Sequence, residues 1–296
     1  MITRTRARPH SRPRTRSVLR LAGATLLAVG LGAVVPTPSG AAPGAPDRPT
    51  VDTRDWVIDA NTLTTSNIQE DGWFSDGDEP YIAVIGFRSR FGTPGSTNAV
   101  FRGGLRELSG GADDGDRLNI PDSMGRMGFP GVTRIGLGEI ASGANPEVIG
   151  TITVAMESDA TPWSSMNTIF TNLASVAKTE IANVIETTTL LDVVSGATPL
   201  ADRFEQAVQR IENGTRMSFW EELGLFLQSW ADPDDKIDFG FSAFITVDDT
   251  LTGLVDTEIA KVLPPDKGFG GGLSNRTATL PFSGDGATYR VAFAVS

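Results

Sequence analysis

The stretch Val148-Ile149-Gly150-Thr151-Ile152-Thr153-Val154-Ala155-Met156, together with the segment after it, decides the fold. Ile149, Thr151, Thr153 and Ala155 alternate with Val148, Ile152, Val154 and Met156, broken only at Gly150. Such β-formers in alternation predict a strand. The period changes after Asp159. Thr161 offers a helix N-cap and Pro162 suits a first turn, where a missing N–H costs nothing. Met166, Ile169, Phe170, Leu173, Val176, Ala177, Ile181, Val184 and Ile185 then fall on one helical stripe, the mark of a helix with one buried face.

Working outward, strand-like segments precede this point at 81–87, 98–105 and 132–137, divided by Gly, Pro, Asp and Ser clusters. Beyond it, a second helix is predicted from Thr198-Pro199, with Leu200, Phe204, Ala207, Val208 and Ile211 on one side and Asn213-Gly214 as its stop. A third starts near Ser218 and gathers Phe219, Trp220, Leu223, Phe226, Leu227 and Trp230. Strand patterning returns at 237–247, 277–282 and 287–295, where Tyr289, Val291, Phe293 and Val295 share a face. Strands on both sides of a helical segment predict one α+β domain: an antiparallel β-sandwich with an inserted helical segment over about 160–230. The glycine run 268–272 lacks the Lys-Ser/Thr of a phosphate loop and reads as a surface loop.

The N-terminus predicts export. Residues 1–20 hold seven arginines and no acid, residues 21–35 are apolar apart from Gly and Thr, and small residues and prolines follow to Ala41. This is the order of a secretory signal, residues 1–41. The apolar run of fifteen residues is short of the roughly 20 that a membrane-spanning helix needs, so no stable membrane anchor is expected. Thr15-Arg16 stands where a twin-arginine signal has two arginines, which favours the general secretory route. Residues 42–52 read as a flexible lead-in and 53–296 as a single β-rich domain. Without the leader, 18 basic residues face 36 acidic ones, a net charge near −18. Such a surface repels nucleic acid, which is bound by Lys and Arg at phosphates.

Removal of the leader also removes the single histidine, His10, and the chain has no cysteine. Ser-His-Asp and Cys-His catalysis are therefore closed to the mature chain, and carboxylate chemistry and oxygen-ligated hard cations remain. The densest acidic stretch is Glu70-Asp71-Gly72-Trp73-Phe74-Ser75-Asp76-Gly77-Asp78-Glu79-Pro80-Tyr81, leading into the strand at 81–87. It resembles the first calcium loop of C2 domains, with Asp71 at the early aspartate and Pro80-Tyr81 at the Pro-Tyr pair. Glu79 stands where that family has aspartate, and the spacing is longer. The resemblance covers about a dozen of 296 residues. It implies calcium held by Asp71, Asp76, Asp78 and Glu79, with Asp248 and Asp249 supplied from a later loop. Two such loops at one end of a sandwich would provide the six to eight oxygens calcium takes. The alternative is that these carboxylates are solvated turn residues.

The expected function is thus a secreted, non-catalytic calcium-binding or recognition module for an unidentified extracellular ligand. A secreted glycoside hydrolase working through paired carboxylates is the first alternative. A membrane-active protein exposing the apolar helix faces is the second.

Overall fold

Among the described residues of the computed structural model, ten strands make two five-stranded sheets, and the protein is mostly β. The residues described are 53–66, 68, 79–158, 163–189, 202–203, 206–211, 238–263, 265–284 and 287–296. The outer sheet is built on β1 (Thr53–Ser66), which pairs along one edge with β10 (Thr288–Val295) and along the other with β4 (Arg117–Asn119) and β5 (Arg126–Thr133). β9 (Arg276–Ser283) lies beyond β10. The central sheet runs β3 (Asn98–Phe101), β2 (Pro80–Arg90), β6 (Glu147–Glu157), β7 (Asp238–Ile245) and β8 (Gly268–Gly272).

Register in the outer sheet follows from what must be buried. Trp56, Ile58 and Ala60 point inward, then the register against β10 slips between Ala60 and Thr62, after which Leu63 and Thr65 are the buried residues. One extra residue on β1 changes which parity faces the core, as a bulge does. The buried partners stay matched across it: Ile58 with Val295, Ala60 with Phe293, Leu63 with Val291. The opposite face of this sheet, with Thr277, Thr279 and Arg290, is exposed. One-sided burial of this kind is what an antiparallel sheet tolerates.

The central sheet is covered on both faces, and β2 and β6 are buried over nearly their whole length. On one face lie α3 (Trp163–Ile185) and α4 (Asp249–Val262). Phe101 meets Phe170 at 5.4 Å between ring centres, and Tyr81 meets Trp163 edge-on at 5.2 Å. The α3 stripe buries nine residues, of which the larger aliphatic and aromatic ones each contribute about 1.5–3 kcal/mol. On the other face the outer sheet approaches closely. A Cβ at Gly240 would come within 2.8 Å of Leu280, and one at Gly86 within 3.1 Å of Met127. Phe269 of β8 meets Phe293 of β10 at 5.2 Å.

The strands predicted at 81–87, 148–156, 277–282 and 287–295 and the helix after Asp159 match β2, β6, β9, β10 and α3. Within the predicted second helix, residues 206–211 are helical with Ala207 and Ile211 buried; the predicted third helix lies outside the described residues. Two expectations are corrected. The segment 132–137 straddles the end of β5 and the start of the short helix α2 (Leu137–Ala141). The glycine run 268–272 is strand β8, parallel to β7, so the sheet is not wholly antiparallel. Glycine is required there because β7 and α4 both crowd this backbone: a Cβ at Gly270 would sit 1.9 Å from the Ala243 carbonyl oxygen of β7 and 3.0 Å from Ile259 Cγ2 of α4, and one at Gly272 2.7 Å from Thr252 Cα of α4.

Candidate functional site

Of the six carboxylates expected to hold calcium, Asp71, Asp76 and Asp78 lie outside the described residues. Glu79 immediately precedes β2, where its carbonyl accepts from Ser158 N–H at 3.1 Å beside the end of β6. Asp248 and Asp249 follow β7, next to the start of β6. Pro80 pairs with Glu157 and Ile245 with Val148, so nine residue steps along the eleven-residue β6 separate them, about 30 Å at 3.3 Å per residue. Glu79 cannot share an ion with Asp248 or Asp249. Glu79 and Asp248 therefore stand at opposite ends of β6.

Nor are Asp248 and Asp249 loop residues. Asp248 is the N-cap of α4: its Oδ1 accepts from Thr250 N–H at 3.0 Å, Leu251 N–H at 3.2 Å and the Thr250 hydroxyl at 2.6 Å. The Thr250 hydroxyl foremost, then these backbone donors and the charge of Arg134, hold its carboxyl below the ordinary aspartate range against a smaller opposing effect of burial. Asp249 accepts from Arg134 at 2.6 Å. Asp-Asp-Thr ahead of an apolar run is a helix-start signal, and the calcium reading passed over it. Among the described residues no group of three or more His, Cys, Asp or Glu is arranged to hold a metal ion.

A different feature stands out where the two sheets end side by side. Across β2 and β3, Gly86 pairs with Val100 and Arg88 with Asn98, so these four side chains share the face turned toward the outer sheet. β5 covers Gly86 with Met127 but leaves Val100 47% exposed. The result is a groove of about 240 Å³ between the edge strand β3 and the edge strand β5. Val100, Met127 and Phe129 give it an apolar lining, and Ser96 and Asn98 a polar rim.

An arginine stands at each end. Arg88 Nη1 and Nη2 donate to the Pro130 and Gly131 carbonyls at 2.7 and 3.0 Å, and its Nε donates to Glu147 Oε2 at 2.8 Å. Arg90 donates to the other oxygen of Glu147. Arg88 is therefore a strut from the central sheet to the outer one, with its donors occupied. Arg102, the residue just past the end of β3, is exposed, and its Nη2 lies 4.0 Å from where a Cβ on Gly128 would be. Among the described residues it has no carboxylate or hydrogen-bond partner. The rim is fixed from the far side by Glu186, which accepts from Gly95 N–H and Thr97 N–H at 2.7 Å each. Burial pushes that carboxyl up, but the bonds from Thr97, Gly95 and Ser96 outweigh it and hold it below the usual range.

This arrangement can bind but has no reacting pair: its charged groups are guanidiniums, which do not exchange protons near neutrality. The sequence reading missed it. The available signal was the alternation Ser96, Asn98, Val100, Arg102, which sets a valine between polar residues at every second position.

The chain matches no protein-family model, no curated protein and no solved structure. Fold and site define a mostly β protein of two sheets with helices on one of them. Among the described residues no helix is long and apolar enough to cross a membrane.

Proposed function

We propose that the chain is an exported, non-catalytic recognition module on a β-sandwich scaffold, and that it binds its extracellular ligand in the groove between β3 and β5. The observation that carries this reading is the pairing of an apolar lining with a guanidinium, Arg102, that has no partner among the described residues, on a chain that is otherwise acidic. A cation held over apolar surface suits a ligand with an anionic group beside an apolar one. Export is supported by the arginine-rich, acid-free leader and the apolar run after it. A non-catalytic role is supported by the absence of cysteine and by the position of the sole histidine in that leader.

The test is amide chemical-shift mapping with a simple anionic amphiphile, octanoate, against octanol and acetate. Octanoate is expected to shift the amides of residues 98–102 and 127–130, and neither control to do so at equal concentration. Shifts scattered over the surface, or equal with all three, would remove the groove as a binding site.

A further inference from the structure

Resting on that reading, we infer that the occupant of the groove is an extended peptide segment of a partner protein, added at the free edge of β3. The inference goes further: the segment carries an apolar and an acidic residue two positions apart.

Three observations lead there. First, the groove runs between two edge strands. Among the described residues β3 is the end of the central sheet and pairs only with β2, and β5 takes its pairing from β1. Edge strands present unpaired main-chain donors and acceptors, and an added peptide strand uses them for affinity. Second, about 240 Å³ is below the roughly 300–1,000 Å³ of sites that enclose a small molecule. It suits one side chain lowered from a strand lying above. Third, the two side chains that a ligand would meet on this face, Val100 and Arg102, are two residues apart. On an added strand, residues directed to this same side also recur every second position. A residue beside Val100 completes the apolar lining, and the next on that side meets the Arg102 guanidinium, which binds a carboxylate through two parallel N–H···O bonds when geometry allows. Charge selects the partner as well: the chain carries more carboxylates than basic groups, which disfavours an acidic segment in general, and the Arg102 guanidinium offsets that at this groove. With β3 only four residues long, few main-chain bonds are available, so binding is weak and side-chain readout carries the selectivity.

The experiment uses the purified protein with three fluorescein-labelled peptides: Ser-Thr-Val-Thr-Glu-Thr-Ser, its Glu→Lys form, and a form with Val and Glu adjacent. Anisotropy gives affinity and amide shifts give location. The first peptide is expected to bind with a dissociation constant of tens to hundreds of micromolar, shifting residues 98–102, and the other two at least tenfold more weakly. Arg102→Glu is expected to reverse the preference toward the Lys peptide, a result loss of folding cannot produce. Equal binding of all three peptides, or an unchanged preference in Arg102→Glu, overturns the inference. If octanoate shifts the groove while no peptide binds, the peptide inference fails and the recognition reading stands. If neither ligand shifts it, both fall.

Discussion

Glu147 is buried, its side chain 6% exposed, and its two oxygens hold Arg88 and Arg90, which are 30% and 45% exposed. Replacing it with glutamine keeps the shape, removes the charge, and turns an N–H₂ group toward a guanidinium. Breaking a fully buried ion pair costs about 3–5 kcal/mol, and an exposed one about 0.2–1 kcal/mol. Here the carboxylate is buried but both cations reach solvent, so E147Q should cost about 2 kcal/mol. For a domain of this size that lowers Tm by about 4–8 °C. Arg90→Ala should cost less, about 0.5–1 kcal/mol, because Arg88 still neutralises the carboxylate. Arg88→Ala should cost about 2–3 kcal/mol, since it also frees the Pro130 and Gly131 carbonyls. Urea unfolding of the single and double variants at fixed salt measures this. The E147Q/R88A pair should show a coupling of about 1 kcal/mol. If E147Q costs under about 0.5 kcal/mol and the couplings vanish, Glu147 does not anchor the strut, and the account of what holds the groove open is wrong.

Other outcomes follow from individual contacts. Gly150→Ala places a Cβ 2.0 Å from the Ser242 carbonyl oxygen and 2.5 Å from Phe87 Cζ; it should destabilise by about 1–3 kcal/mol in the same urea assay. Gly253→Ala, in the exposed middle of α4 with nothing within 4 Å, should stabilise by about 1 kcal/mol. Asp248→Ala should cost about 1 kcal/mol at pH 7 through loss of the cap. Because the folded carboxyl of Asp248 titrates below its ordinary value of 3.8, its contribution is complete above that value and fades as pH falls through the lowered one. The gap between wild type and variant in thermal melts should therefore close in strong acid and stay constant from pH 5 to 8. Asp248→Asn and Asp249→Asn should leave any melting shift caused by millimolar calcium unaltered, since Glu79 is at the far end of β6; a lost shift would mean that these residues do hold the ion.

The features legible in the sequence were those in which one segment carries its own answer. The alternation at 148–156 and the apolar stripe of 166–185 report which side of a segment avoids water, and both appear as β6 and α3. Where a segment's conformation depended on its neighbour, local reading failed. The glycines of 268–272 look like a loop because nothing in them shows the helix α4 that lies against their backbone. Asp248-Asp249 offers carboxylates equally suited to capping or to chelation, and that Asp248 caps a helix is seen only from its place at the start of α4.

By itself, then, the sequence determined the apolar periodicities, the acidic balance, the leader-like N-terminus and the absence of cysteine and of histidine beyond His10. Periodicity and composition are properties of a segment alone. Tertiary structure decided which segments meet. It joined Ile58 to Val295 across almost the whole described chain, set Glu79 and Asp248 at opposite ends of one strand, and drew the groove from residues 86–88, 96–102 and 127–130. Strand partners are chosen by burying apolar faces over the whole domain at once, and no local pattern records that choice.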